Sequence, residues 1–217
     1  QRLRPHLRVG GEVFGDRRAV LAWGPGPNAR AVAVDGGYRV TGTWSFLSGG
    51  HHATWYGAAA PVHEPDGTLR RRGDGAPDVR TLLVPASAAP LEDTWRVVGL
   101  RATASDSFTL RDRFVPRDYA VIRDLLSEVK DPAPLYCFPT GSVYASGFAS
   151  IALGVARSTL NAFVGLARDK KARGFRHTLR ESGVVQSQTA QAEAWIGSAR
   201  AYLFGGLQEI WNEVGRA

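Results

Sequence analysis

The chain has 217 residues, 44% apolar and 22% charged, a composition that excludes a disordered or low-complexity protein and supports one sizeable core or two smaller ones. Net charge is +7, and of the 27 basic residues only Lys130, Lys170 and Lys171 are lysine, leaving 24 arginines scattered among acids. Scattering argues against nucleic acid as a partner and leaves either surface solvation or a local anion site, while a lone cysteine, Cys137, excludes an internal disulfide and points to a reducing cytoplasm.

The opening "QRLRPHLRVGG" starts abruptly and no methionine occurs anywhere, so the chain reads as a segment of a longer protein. The first 120 or so residues read as β structure. "ARAVAVD" is a short strand, Gly36 and Gly37 mark a hairpin turn, and "YRVTGTWSFLS" alternates, with Tyr38, Val40, Gly42, Trp44 and Phe46 on one face. "ATWYGAAAPV" returns as a strand, followed by a polar Gly/Pro loop, "HEPDGTLRRRGDGAPD", expected to be mobile. "VRTLLVP", "LEDTWRVVG" and "SFTLRDRFVP" are further strands, the last with an imperfect alternation of Phe108, Leu110 and Phe114. A central antiparallel barrel or sandwich follows from this pattern.

After Pro116 the period becomes helical. One helix is expected from Ser142 to Arg168, with Phe148, Ile151, Val155, Ala162 and Leu166 as its apolar stripe, and a second from about Val184 to Asn212. Each is roughly 40 Å long at about 1.5 Å per residue, so both need a bundle around them that these residues alone do not supply. The fold class is therefore α+β, divided as a β domain over 1–122 with a hairpin at 36–62, a linker over 123–141, and an incomplete helical bundle over 142–217. No apolar run reaches the roughly 20 residues of a membrane span, and no membrane partner is expected.

"GGYRVTGTWSFLSGGHHATWY", "DTWRVVGLRATASDSFTLRDRFVP", "ALGVARSTLNAFVGLA" and "SGVVQSQTAQAEAWIGSARAYL" resemble, in this order, four segments of the acyl-CoA dehydrogenase superfamily. Within it, "GGYRVTG.WSF.SG", "DTW…GLR.T.S" and "SGVVQ" resemble the oxygenase components of two-component flavin-dependent monooxygenases. The resemblance implies an N-terminal helical domain and last bundle helices outside this chain, and a homotetramer. It implies reduced flavin delivered by a separate reductase, FMN first and FAD as the alternative. It also implies oxidation of a small organic substrate with O2, and a catalytic histidine beyond Ala217. An FAD-dependent acyl-CoA dehydrogenase or oxidase of the same fold is the second possibility, and a non-catalytic assembly module the third. For the dehydrogenase, no glutamate among Glu128, Glu181, Glu193, Glu209 and Glu213 carries that family's local pattern.

On this resemblance Ser48 is the residue expected to bond the flavin ring edge, with the amides of Gly49 and Gly50 donating beside it and Phe46 packing on the ring. His51 and His52 read as exposed residues of the polar turn; were they on a strand, adjacent residues would point to opposite faces, so they do not chelate jointly and only one could face the flavin. Trp23, in the loop "AWGPGPNAR", lines either the flavin pocket or the core. Arg173 and Phe175, in "KKARGFR", take the place of a loop that reaches a neighbouring subunit's flavin; Arg suits a phosphate because its fork makes two bonds. Arg–Gly–Phe–Arg departs from the dehydrogenases' Arg–x–x–Phe–Gly step, which favours FMN over FAD. Arg101, Thr103 and Ser105 lie in a polar turn between strands and either satisfy that turn or line a substrate cavity.

Overall fold

The computed structural model describes residues 5–123, 125, 128, 133–174 and 176–214, with the side chains of Pro5 and His6 set aside. Contacts divide the chain into two compact units, Gln1–Glu128 and Val129–Ala217.

The first unit is built on eight strands: β1 (Leu21–Gly24), β2 (Arg30–Val34), β3 (Gly37–Trp44), β4 (Trp55–His63), β5 (Val79–Pro85), β6 (Leu91–Glu92), β7 (Ser107–Pro116) and β8 (Ala120–Val121). Their order is β6-β7-β3-β2-β4-β5-β8, with β1 also on β4. Most pairs are antiparallel, but β1 and β2 each run parallel to β4, so the curled sheet is mixed. A helix, α1 (Pro5–Phe14), precedes the strands, where β structure is expected from the sequence. Val9 and Val13 bury one face of it on Leu83, and Arg8, paired within the helix to Glu12, ties it to Asp118.

The core of this unit is aromatic. Trp44 stacks on Phe108 at 5.0 Å, and Phe108 meets Tyr56 at 4.7 Å. The buried Trp44 indole N–H donates to Ala59 O at 2.9 Å, so its polar edge is satisfied inside the core. The imperfect alternation of β7 has a local cause. Register shifts against β3 between Val40 and Gly42, and Asp112 takes φ +48. Such a bulge inverts the faces beyond it: Phe108 and Leu110 are buried, then Val115 instead of Phe114. The polar loop over 64–78 is not a structureless excursion. It doubles back through the bridges His63–Leu69 and Arg71–Pro77 and holds the pairs Arg70–Glu64 and Arg72–Asp74.

The second unit is a helical hairpin of α2 (Thr140–Ala167, 28 residues) and α3 (Gly183–Val214, 32 residues). The connection between them doubles back through the antiparallel bridge Lys171–Thr178, and Arg157 of α2 grips Glu193 of α3 with two bonds of 2.5 and 2.6 Å. An open apolar groove on this hairpin is lined by Ala152, Ala156, Leu160 and Phe163 of α2 and by Trp195 and Ala199 of α3. The stripe expected from the sequence, including Phe148, Ile151 and Val155, is instead exposed. Small and apolar residues surround α2, so its periodicity does not single out one face. For the same reason α2 reaches the length and hydropathy of a membrane span by composition alone, contrary to the expectation that no segment does.

Candidate functional site

The site starts where β3 stops. Trp44 is locked in the core, and the next three residues break the alternation. Phe46 takes φ +58 and turns its ring outward, 60% exposed, while Leu47 turns inward and is fully buried. Phe46 therefore does not share Trp44's face. Leu47 N–H donates to Asp106 O at 3.0 Å and Ser48 N–H to Phe46 O at 2.8 Å, which fixes the corner. The neighbouring Pro25 loop packs closely: Ser45 N–H donates to Pro25 O at 3.1 Å, and a Cβ on Gly24 would lie 1.9 Å from Ser45 O. Only glycine permits that approach.

The expected free amides are not free. Gly49 N–H donates to Thr103 O at 3.1 Å and Gly50 N–H to Leu47 O at 2.9 Å. Gly49 sits at φ +74 and starts a 3-10 turn over Gly50–His52, so His51 and His52 are both exposed turn residues, as expected. His51 Nε2 lies 2.7 Å from Asp106 Oδ2.

The facing loop runs from β6 to β7. Only Leu91–Glu92 of the expected strand "LEDTWRVVG" pairs; the rest is irregular. Its anchor is Asp106, which is buried. One oxygen accepts the N–H groups of Thr94 and Trp95, both at 2.9 Å, and the other faces His51. The His51 bond first, and these backbone donors after it, hold the Asp106 carboxyl below the usual carboxylate range. Trp95 donates its indole N–H to Leu100 O at 3.0 Å and meets Phe46 edge-on at 5.6 Å. Leu100 (φ +54) and Ala104 (φ +41) flank a 3-10 turn over Arg101–Thr103. Among the described residues, three of the four non-glycine positive-φ positions thus lie in these two loops. Each left-handed residue costs about 1–2 kcal/mol, and strain of this kind gathers at functional sites.

Hydroxyls bridge the loops. Ser48 Oγ lies 2.7 Å from Ser105 Oγ, Ser105 Oγ lies 2.7 Å from Thr103 Oγ1, and Thr103 donates to Leu100 O at 2.9 Å. Ser48 is exposed and Ser105 buried. Two hollows flank this edge. One, about 580 Å³, is lined by Trp95, Arg96, Val98, Arg101 and Asp106; the other, about 430 Å³, by Pro25, Ser45, Phe46, Ala60 and Val79. The Phe46–Trp95 ring pair connects them.

Phe46, Ser48 and Gly49 therefore fall together, and Arg101, Thr103 and Ser105 join them. Trp23 lines neither hollow; its ring is half-exposed on β1, with the Arg123 guanidinium 4.1 Å above it. Arg173 is an exposed turn residue of the second unit, and Phe175 lies outside the described residues. Trp95 and Asp106 were missed. The sequence signal for them was a dense polar run, "TASDS", opposite a tryptophan that reads equally well as core.

Residues 146–217 match the family model described as acyl-CoA dehydrogenase, C-terminal domain. Indole-3-acetate monooxygenase of Pseudomonas putida is 28% identical over 94% of this chain and 50% of its own length. The FADH(2)-dependent resorcinol hydroxylase oxygenase component of Rhizobium sp. is 32% identical over 83% of this chain and 45% of its own. Among solved structures, XiaF from Streptomyces sp., in complex with FADH2 and glycerol, superposes with a TM-score of 0.79 at 27% identity, covering 96% of this chain and 53% of that one. The chain thus spans about half the length of the curated relatives it matches. By sequence and by fold it belongs to the acyl-CoA dehydrogenase superfamily, on the branch of the flavin-dependent monooxygenase oxygenase components.

Proposed function

We propose that the protein carrying this chain is the oxygenase component of a two-component flavin-dependent monooxygenase. It takes reduced flavin from a separate reductase and oxidises a small aromatic substrate with O2, as a homo-oligomer. The β unit over 1–122 serves as its flavin-holding domain, and the helices from 142 onward belong to a bundle.

The observation that carries this reading is the exposed Phe46 ring, held at a strained corner beside the Ser48 hydroxyl and between two hollows. A flat heterocycle fits such an edge: the ring offers a face, and the hydroxyl offers one hydrogen bond at a fixed point. Bound reduced flavin supplies the electrons that activate O2. The chain's residues do the rest. Phe46 packs on the flavin with Trp95 behind it, Ser48 bonds its edge, and Gly49 gives the turn that sets Ser48. Arg173 and Phe175 belong to a loop that reaches the flavin of a neighbouring subunit, where Arg173 would pair with a phosphate; Trp23 lines neither hollow and is the weakest of the expected contacts. The resorcinol hydroxylase relative is FADH2-dependent and XiaF is in complex with FADH2, so FAD is tested alongside FMN.

An acyl-CoA dehydrogenase needs a carboxylate free to take a proton, and two glutamates are already occupied. Glu181 accepts from the Thr178 N–H and hydroxyl, and Glu193 is held by Arg157. Anaerobic titration of the intact protein with FADH2 and with FMNH2 tests the proposal. Micromolar or tighter binding of a reduced flavin is expected. Binding of neither form, or tightly held FAD bleached by an acyl-CoA, would reject it.

A further inference from the structure

Each hydroxyl in the bridge between the two loops has one proton to give. Thr103 spends its proton on Leu100 O, because a carbonyl can only accept. At 2.7 Å, Thr103 Oγ1 must then accept from Ser105, and Ser105 Oγ, its own proton used, must accept from Ser48. The direction of the whole chain is set by one carbonyl: Ser48 to Ser105 to Thr103 to Leu100 O. Ser48 has therefore turned its proton inward and presents only lone pairs outward.

The bridge is not free to reverse. Ser105 is buried, with no other partner for its hydroxyl among the described residues. Leu100 and Ala104, the left-handed residues on either side of Thr103, hold the carbonyl and the hydroxyl in register. Gly49 N–H on Thr103 O straps the same two loops through the backbone.

We infer that Thr103 and Ser105 are positioning residues that make Ser48 an obligate hydrogen-bond acceptor, so that the site selects flavin by redox state. This rests on the assignment of Ser48 to the flavin edge. Reduced flavin bears a hydrogen on N5 and can donate to Ser48. Oxidised flavin offers a lone pair there, and two lone pairs facing each other repel. Selection for the reduced form then comes from the wiring behind Ser48 and not from Ser48 alone.

The test is the ratio of dissociation constants for oxidised and reduced flavin on the intact protein. The wild type is expected to favour the reduced form. Thr103→Val removes the committed acceptor, lets Ser105 and Ser48 reverse, and is expected to shrink the ratio about fivefold to tenfold, the size of one hydrogen bond. Thr103→Ser restores the hydroxyl and should restore the ratio. Ser105→Ala frees the Ser48 proton by a different route and should shrink the ratio likewise, which guards against a folding defect in Thr103→Val. If both variants keep the wild-type ratio while Ser48→Ala changes it, the wiring is overturned and the flavin site stands. If the wild type binds neither redox form, the flavin site itself falls, and the wiring with it.

Discussion

Asp106 is the residue on which both loops depend. Its carboxylate takes two amides of the 94–95 turn and the imidazole of His51, and these donors favour its ionised form. The sign follows. A carboxyl whose pKa is lower folded than unfolded contributes stability above about pH 4, its unfolded value, and loses that contribution as pH falls through the depressed folded value. Asp106→Asn should melt below wild type at pH 7, and the gap should close in acid; a gap that persists at pH 2–3 would show the charge to be irrelevant. Phe46→Ala should weaken reduced-flavin binding about fivefold to tenfold, the worth of an aromatic contact, with little change in melting temperature because the ring is exposed. An unchanged dissociation constant would remove Phe46 from the site. At this scale the sequence was half legible. Ser48 and Phe46 could be named from a motif. That the Gly49 amide is spoken for by Thr103, and that Asp106 faces His51, depends on contacts between segments distant in sequence, which local pattern does not encode.

Among elements, β3 and the corner after it do the positioning. β3 and β4 do not pair as the hairpin expected over 36–62, because β2 lies between them. The corner's effect comes from where it fails to be regular. Alternation along "YRVTGTW" is faithful to the pleat as far as Trp44. The same rule extended to Phe46 puts it in the core, because one left-handed residue inverts every face that follows. A bulge at Val40/Gly42 has the same effect on β7. The long helices were legible because their periodicity runs for many turns, whereas α1 is short and two glycines, Gly10 and Gly11, dilute its helical signal. The closest approach in the site, Gly24 against Ser45, gives a direct test of this element. Gly24→Ala should cost about 1–3 kcal/mol by overpacking and displace the Ser45–Phe46 corner, so flavin affinity should fall together with thermal stability. A variant as stable as wild type, with unchanged affinity, would mean that the Pro25 loop does not shape the site.

On the scale of the molecule, the second unit leaves large apolar side chains uncovered: Phe148, Ile151, Trp195 and Tyr202 are all at least 66% exposed. Surfaces of this kind mark interfaces. Residues 129–217 produced alone should therefore self-associate at micromolar concentration in sedimentation velocity, and a stable monomer would argue against it. The class of fold was legible because a β half followed by long helices is a coarse pattern; which helix faces meet was not, since α2 is apolar all round. The proposed activity itself is tested most directly by mixing the anaerobic complex of intact protein and reduced flavin with O2, and following the return of oxidised flavin. A protein that holds the flavin at Ser48 away from water should slow that return many-fold relative to free reduced flavin, with Ser48→Ala releasing H2O2 faster. Reoxidation at the rate of free flavin, in wild type and variant alike, would contradict the oxygenase assignment.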